Sequence, residues 1–217
     1  MKNIKNFFPN FEIEGNYRDT NVFGIDEAGR GPLAGPVVAC CVMIRNDQYR
    51  DQNILAVNDS KKLSEKKRLY FYDYLTSNIC YQITSVDNKK IDDINILNAT
   101  KLAMSQSYSG ILKKYDLEGG MVLVDGNFNP FTGNVSCEPI VKGDQKSISI
   151  ACASIIAKVY RDKIMSEMHQ QFSEFGWNKN SGYPTKSHIQ AIEKFGVSCY
   201  HRLSFAPIKS NNYKKYG

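Results

Sequence analysis

Acidic residues follow two short apolar runs of the sequence, at the points where buried strands would end. Asp26 and Glu27 come directly after residues 22–25, and Asp125 comes directly after residues 121–124. An unpaired carboxylate at the edge of a core is costly, and several that converge there repel one another unless they share a cation. Each acid taken alone fits an ordinary strand-end residue paired with a lysine or arginine, so their convergence is the prediction to test.

Carboxylate oxygens are ligands that suit Mg²⁺ or Mn²⁺. The three histidines, His169, His188 and His201, are far apart in the sequence, and the cysteines form no CxxC pair, which argues against zinc. In a centre with two such ions, one activates the attacking water and the other stabilises the leaving oxygen of a phosphodiester. If these acids do converge, a pair of such ions among them would suit phosphodiester hydrolysis.

A glycine-rich segment follows the first acidic pair. Gly29, Gly31 and Ala34 satisfy the G-x-G-x-x-A pattern of dinucleotide-binding proteins. That pattern must open a helix, whereas residues 36–42 are valine-rich and typical of a strand, so we reject it. The segment instead predicts a hairpin whose glycines let the backbone approach a ligand closely, with Arg30 able to reach a phosphate or sugar.

Strands and helices are mixed along the rest of the chain. Apolar runs predict strands at residues 22–25, 36–44, 81–86, 121–124 and 135–141. Helical spacing predicts helices from Ser64 and from Asp92, over residues 149–168 and over residues 186–195. We expect residues 46–62 to form a loop, and Lys158, Arg161 and Lys163 to be exposed. This mixture indicates an α/β domain whose sheet is covered by helices.

Composition narrows the class of protein. The chain has 217 residues, which fits one compact domain, and its net charge of +6 modestly favours a polyanionic partner. No apolar run reaches the length of a membrane span or of a signal peptide. The six cysteines fit small buried side chains in a reducing compartment. We therefore expect a cytoplasmic protein with no membrane association.

Six motifs in chain order resemble the signature of ribonuclease HII, the bacterial type-2 ribonuclease H. They occupy residues 24–36, 58–64, 123–127, 141–144, 151–162 and 182–185. The resemblance implies a ribonuclease H-like fold, with a central mixed sheet flanked by helices and a helical C-terminal extension. Residues 1–20 are polar with scattered aromatics, so we expect a loosely held lead-in there, followed by a catalytic domain over 21–170 and the extension over 171–217, packed on the same domain.

The resemblance also implies the site. Asp26, Glu27, Asp125 and Asp144 match the family's four metal-binding acids, with Mg²⁺ or Mn²⁺ as the two ions. The assignment of Asp144 rests mainly on the match of residues 141–144 to the family motif, because the segment between Asp125 and Asp144 falls in a region of variable length.

Four residues of two motifs match parts of the family that recognise the substrate. Gly29, Arg30 and Gly31 match the turn that contacts the ribonucleotide and its neighbouring phosphates, and Tyr183 matches the tyrosine that packs on the sugar at the RNA–DNA junction. Lys61 fits either a contact to the duplex backbone or a solvated loop. The basic and aromatic residues around Tyr183, namely Lys179, Lys186, His188 and Arg202, predict a surface that tracks a nucleic-acid backbone.

The implied activity is hydrolysis of the RNA strand of RNA–DNA hybrids. The cut falls 5′ of a ribonucleotide, including a single one embedded in duplex DNA, and leaves a 3′-hydroxyl and a 5′-phosphate. The expected partner is an RNA–DNA hybrid or a DNA duplex that contains ribonucleotides, and the family suggests a monomer. Two alternatives remain: a ribonuclease HIII-like enzyme restricted to longer hybrids, and a catalytically silent nucleic-acid-binding module.

Overall fold

The computed structural model describes residues 8–17, 19–211 and 213–216. One sheet of five strands runs through the described chain, in the spatial order β3-β2-β1-β4-β5. Its strands are β1 (Asn21–Ala28), β2 (Val37–Met43), β3 (Cys80–Val86), β4 (Gly120–Asp125) and β5 (Cys137–Ile140). β1 and β2 are antiparallel, as are β2 and β3, whereas β1, β4 and β5 are parallel. The mixed sheet confirms the predicted α/β class.

Helices cover both faces of this sheet. They are α1 (Gln52–Leu55), α2 (Glu65–Asn78), α3 (Asn88–Tyr115), α4 (Ile148–Gln171), α5 (Trp177–Asn180), α6 (Lys186–Phe195) and α7 (Ile208–Asn211). Short 3₁₀ turns lie at Glu14–Tyr17, Asn46–Arg50, Gly143–Gln145 and Ser173–Phe175. The helix predicted over residues 186–195 is confirmed at both ends.

Strand β2 shows why the sheet needs cover on both sides. It is buried along its whole length. Alternate side chains point to opposite faces: Val38 and Cys40 pack with α4 and α2, whereas Val37 and Ala39 pack with α3. We call these two sides the α4 face and the α3 face. The continuous apolar run over residues 36–44 is therefore that of a strand buried on both faces.

Side-chain caps explain where two of the helices begin. Ser64 accepts a hydrogen bond from the backbone N–H of Lys67, so α2 starts at the predicted serine. The predicted start of the next helix at Asp92 is wrong, because Asp87 caps α3 by accepting from Lys90. Asp92 instead accepts from the backbone N–H groups of residues 203 and 204 in the C-terminal part of the chain.

Two segments that we expected to be irregular are ordered. Residues 46–62 contain a 3₁₀ turn and α1, because Asp51 caps α1 by accepting hydrogen bonds from the backbone of Asn53 and Ile54. The lead-in is not loosely held where the structure describes it, since Glu14 is only 1% exposed. Local caps and buried polar contacts leave no apolar periodicity in a sequence, so neither segment could be recognised from hydrophobic spacing.

The C-terminal helices share a core with the glycine-rich turn. Leu33 and Ala34 of the turn pack in one buried cluster with Met165 of α4 and with the stacked rings of Phe175 and Trp177. The division of the chain at residues 170 and 171 stays a prediction. Within the described residues no helix is both long enough and apolar enough to cross a membrane.

The contact of β1 with α4 predicts the effect of a small substitution at Gly24. A Cβ atom there would lie 2.3 Å from the backbone carbonyl carbon of Ser149, so Gly24→Ala must push strand and helix apart. We expect a loss of about 1–3 kcal/mol in the free energy of unfolding, measured by chemical denaturation.

Gly110→Ala is the matched control, because its Cβ would meet only the flexible side chain of Gln82. In the interior of α3 this alanine favours the helix by up to about 1 kcal/mol. Equal stabilities for Gly24→Ala and Gly110→Ala would contradict this account of the β1–α4 contact.

Candidate active site

The register of β1 and β4 brings two of the predicted acids together. The strands are parallel, and Ile25 pairs with Val124. The next residues, Asp26 and Asp125, therefore lie beside each other where both strands end. Asp26 is 4% exposed, and the hydroxyl of Ser154 on α4 donates a hydrogen bond to it. Strand-end convergence, which we inferred from the apolar runs, is confirmed for this pair.

The third acid, Asp144, reaches the pair through the 3₁₀ turn that precedes α4. It is 2% exposed. The backbone N–H of Gly143 donates to Oδ1 of Asp125 over 2.6 Å, which attaches the turn to the end of β4. Nζ of Lys61 lies 3.3 Å from Oδ2 of Asp144. The structure therefore shows Lys61 as an ion-pair partner of an acid at the site, with its side chain 79% exposed.

Glu27 lies beside the glycine-rich turn. Its Oε1 is 3.6 Å from Nη1 of Arg30, whereas its Oε2 is buried and has no hydrogen-bond partner among the described residues. The guanidinium of Arg30 also lies 5.6 Å from the centre of the Phe128 ring. Glu27 is thus only partly neutralised by the protein.

Burial and mutual repulsion raise the pKa values of these acids. Burial raises the pKa of Asp26 well above its usual range, and the charges of Glu27 and Asp125 raise it further. Burial also raises the pKa of Glu27 from 4.5 to about 7, although Arg30 opposes the change. The pKa of Asp125 is raised by burial and by Asp144. The site therefore resists holding all its negative charges without additional cations.

The donor set fits a hard divalent cation. It consists of carboxylate oxygens, and one of them, Oε2 of Glu27, is buried without a partner in the described part of the chain. Among the described residues, however, no three His, Cys, Asp or Glu side chains already stand as a metal-binding group. The carboxylates would have to reorient to share an ion.

Arg202 binds the glycine-rich turn on its buried side. It is fully buried and donates to the carbonyl oxygens of Gly29, Arg30 and Gly35 over 2.7, 3.1 and 2.9 Å. The peptide bonds here are trans, so each N–H points opposite to its carbonyl. The N–H groups of Arg30 and Gly31 therefore point away from Arg202. They make no hydrogen bond within the described chain.

Arg161 holds the other end of the turn. It is 1% exposed and donates to the carbonyl oxygens of Ala34, Pro36 and Ser181. Our expectations of an exposed Arg161 on α4 and of a surface role for Arg202 are therefore wrong. Both guanidinium groups satisfy backbone carbonyls that a turn rich in glycine and proline leaves unpaired. Sequence spacing alone gives no signal for such long-range partners.

Tyr183 stands at the edge of the site with 45% of its surface exposed. Its carbonyl oxygen accepts from Nδ1 of His188, whose Nε2 accepts from the indole N–H of Trp177 and lies 3.2 Å from Nε2 of His201. These four residues form what we call the histidine network. The prediction that His188 belongs to a basic surface is wrong, because it is fully buried. Lys179 and Lys186 are exposed, as expected.

A cleft of about 410 Å³ joins these groups. Every predicted site residue except Asp144 lines it, namely Asp26, Glu27, Gly29, Arg30, Gly31, Lys61, Asp125 and Tyr183. Asp144 lies beside it through its contacts with Lys61 and the turn. Sequence reasoning did not assign to the site Ser60, Ser154, Lys158 and Arg161, which also line the cleft. Lys158 forms an ion pair with Asp162, with Nζ 2.7 Å from Oδ1.

Comparisons with known proteins agree on one family. The family model described as Ribonuclease HII matches residues 23–208. The ribonuclease HII of Rickettsia akari is 49% identical over 193 residues, which cover 89% of this chain and 95% of the relative. The crystal structure of ribonuclease H2 from Pyrococcus horikoshii has a TM-score of 0.70 and 25% identity, and covers 88% of this chain and 96% of its own.

A more distant structure shares the fold. The crystal structure of Bst-RNase HIII in complex with Mn²⁺ has a TM-score of 0.67 at 16% identity, covering 87% of this chain and 68% of its own. Together with the Pyrococcus structure it confirms the predicted ribonuclease H-like fold with C-terminal helices.

The raised pKa of Glu27 predicts a pH-dependent loss of stability in the metal-free protein. The folded state keeps the Glu27 proton up to about pH 7, whereas the unfolded state releases it near 4.5. The stabilising contribution of this group is therefore full below pH 4.5 and is lost as the pH rises towards 7. Glu27→Gln should gain stability over the wild type between about pH 5 and about pH 8, by on the order of 1–3 kcal/mol.

Thermal denaturation in EDTA at both pH values measures this difference. Glu193→Gln is the control, because Glu193 is exposed on α6. A stability difference between Glu27→Gln and wild type that does not change with pH would show that Glu27 does not titrate in this range.

Proposed function

Because the chain belongs to the ribonuclease HII family, it is an endoribonuclease that hydrolyses the RNA of RNA–DNA hybrids, and we propose that it also cuts 5′ of a single ribonucleotide in duplex DNA. One observation carries the proposal. The cleft that contains Asp26, Glu27 and Asp125 is also lined by the glycine-rich turn and by Tyr183. The acids that would catalyse cleavage and the groups that could recognise one sugar therefore line the same cleft.

We propose that Asp26, Glu27, Asp125 and Asp144 hold two divalent cations, Mg²⁺ or Mn²⁺. Ribonucleases of this fold generally use divalent metals, and the Bst-RNase HIII structure contains Mn²⁺. Oε2 of Glu27, which is buried without a hydrogen-bond partner among the described residues, and the raised pKa values of Asp26 and Asp125 support the same role. Such ions, when bound, supply an activated water nucleophile and neutralise charge on the scissile phosphodiester, which leaves a 3′-hydroxyl and a 5′-phosphate.

The remaining residues orient the substrate. The N–H groups of Arg30 and Gly31 make no hydrogen bond among the described residues, so they can donate to a ribose 2′-hydroxyl or a neighbouring phosphate, and no side chain of Gly31 blocks the approach. The Arg30 guanidinium and the exposed Lys61 ammonium supply positive charge for phosphates. The ring of Tyr183 packs on the sugar beside the ribonucleotide, at a place fixed by the histidine network.

The family assignment removes the alternative of a catalytically silent binding module. An activity restricted to longer hybrids, like that of ribonuclease HIII, remains the competing proposal. The shared cleft of the glycine-rich turn and Tyr183 favours recognition of a single ribonucleotide. A monomeric state and a cytoplasmic location stay predictions.

Cleavage of a duplex with one embedded ribonucleotide, with and without Mg²⁺ or Mn²⁺, tests the proposal. The wild type should cut once, on the 5′ side of the ribonucleotide, and only with metal. Asp26→Asn should lower kcat on the order of 100-fold or more, because it removes a metal ligand and a buried charge. Asp93→Asn, at an exposed position of α3, should cut like the wild type.

Two results would contradict the proposal. Cleavage only within runs of several ribonucleotides would assign the narrower HIII-like activity. An Asp26→Asn variant that cuts as fast as Asp93→Asn would remove the metal role of the acids.

Tyr183 predicts a separation of cutting from binding. Tyr183→Ala should lower the cleavage rate at a single ribonucleotide by on the order of 10-fold or more, because the sugar is no longer held in line. The affinity for the same duplex, measured in Ca²⁺ by fluorescence anisotropy, should change much less. Tyr70→Ala, at an exposed tyrosine of α2, is the control. Equal losses in rate and affinity would assign Tyr183 to general binding instead.

A further inference from the structure

The segment ahead of β1 lies outside the residues that the family model matches, yet it contacts the turn that carries Asp144. Glu14 of this segment is 1% exposed. Its Oε1 accepts hydrogen bonds from the hydroxyl of Ser147 over 2.7 Å, from the backbone N–H of Ser149 over 3.0 Å, and from the hydroxyl of Ser149. One carboxylate oxygen thus gathers three donors at the start of α4.

A short backbone bridge reinforces this contact. The N–H of Asn10 donates to the carbonyl of Lys146, and the N–H of Ile148 donates to the carbonyl of Asn10, both over 3.2 Å. The pairing is a parallel β-bridge between Asn10 and Ser147. The segment is therefore fastened to both sides of the residue that caps α4.

From Ser147 the contacts continue to two acids. The N–H of Ser147 donates to the carbonyl of Gly143 over 2.9 Å, and the N–H of Gly143 donates to Oδ1 of Asp125. Asp144 is the next residue after Gly143. The turn that carries Asp144 is thus bound at one end to Asp125 and at the other to Ser147. Glu14 in turn accepts a hydrogen bond from the hydroxyl of Ser147.

The contacts of Glu14 reach Asp26 through Ser149. Its backbone lies so close to Gly24 of β1 that a Cβ on that glycine would overlap it. Asp26 is two residues further along the same strand. It accepts a hydrogen bond from Ser154, which lies on α4 as Ser149 does. The distance and rotation of α4 relative to β1 therefore determine where Ser154 meets Asp26.

We propose that Glu14 is a positioning residue of the catalytic centre, which fixes the start of α4 and the 143–147 turn so that Asp144 faces Asp125 and Asp26. The inference rests on the proposed metal role of these acids. A carboxylate beneath the N-terminus of a 24-residue helix is favoured by the helix dipole, so the same group also stabilises the fold. Metal affinity distinguishes positioning from stability alone.

The test compares three variants of the full chain. Glu14→Ala removes the acceptor, Glu14→Gln keeps an oxygen that accepts the same donors, and Glu12→Ala removes an exposed carboxylate from the same segment. Mn²⁺ affinity is measured by calorimetry without substrate, and kcat and KM are measured on a duplex with one ribonucleotide. Thermal melting shows which variants are folded at the assay temperature.

For Glu14→Ala we expect Mn²⁺ affinity and kcat to fall on the order of 10-fold or more, with KM nearly unchanged, as for residues that orient metal ligands. Glu14→Gln should recover most of both, and Glu12→Ala should match the wild type. A Glu14→Ala variant that loses only thermal stability overturns the proposal. A Glu14→Gln variant as impaired as Glu14→Ala also overturns it, because the hydrogen bonds would not be the cause.

If Glu14→Ala does not fold, Ser149→Ala tests the same contact more mildly, since it removes one of the three donors and keeps the charge. A smaller loss of Mn²⁺ affinity is expected, and wild-type affinity and kcat would contradict the proposal. Asp26→Asn, measured alongside, separates the two inferences. If it keeps its Mn²⁺ affinity and rate, the metal role fails. If the Glu14 and Ser149 variants keep wild-type Mn²⁺ affinity and rate while Asp26→Asn loses both, the positioning role of Glu14 is wrong and the metal role stands.

Discussion

Carboxylates that are buried side by side repel one another, and the ends of β1 and β4 hold such a group. The register of the two strands holds Asp26 and Asp125 side by side, because Ile25 and Val124 are paired directly before them. Burial raises the pKa values of both acids, the charges of Glu27 and Asp125 raise that of Asp26 further, and the charge of Asp144 raises that of Asp125. Within the described residues, the neutralising cations are Lys61 at Asp144 and Arg30 at Glu27, which offset the charge of the cluster only in part. A site of this kind is stabilised by cations from outside, which is the property that a metal-dependent nuclease requires.

The rest of the fold restrains the two sides of this cluster. On one side, α4 carries Ser154 to Asp26, and the turn before it carries Asp144 to Asp125, with Glu14 beneath the helix start. On the other side, the buried Arg161 and Arg202 bind the carbonyl oxygens of the glycine-rich turn, and two of its N–H groups make no hydrogen bond within the described part of the chain. Both guanidinium groups are held by neutral carbonyls, so they also add positive charge beneath the surface that would receive phosphates.

Much of this arrangement could be predicted from the sequence, because strand ends and apolar periodicity are local signals. The convergence of Asp26 and Asp125 followed from two apolar runs, and the rejected dinucleotide motif proved to be a hairpin. The errors concern polar residues with distant partners. Arg161, Arg202 and His188 were expected at the surface, and all three are buried against backbone or aromatic groups. Their residue types are visible in the sequence, whereas the carbonyl groups that bind them become neighbours only when the chain folds.

The metal role of the site requires that Asp26, Glu27, Asp125 and Asp144 together bind divalent cations. Anomalous diffraction from crystals of the wild-type protein soaked in Mn²⁺ locates such ions without reference to activity. We expect anomalous peaks within coordination distance of these four carboxylates, with Lys61 displaced from Asp144. Saturating Mn²⁺ that gives no peak between the acids, or peaks only elsewhere on the protein, would contradict the metal role.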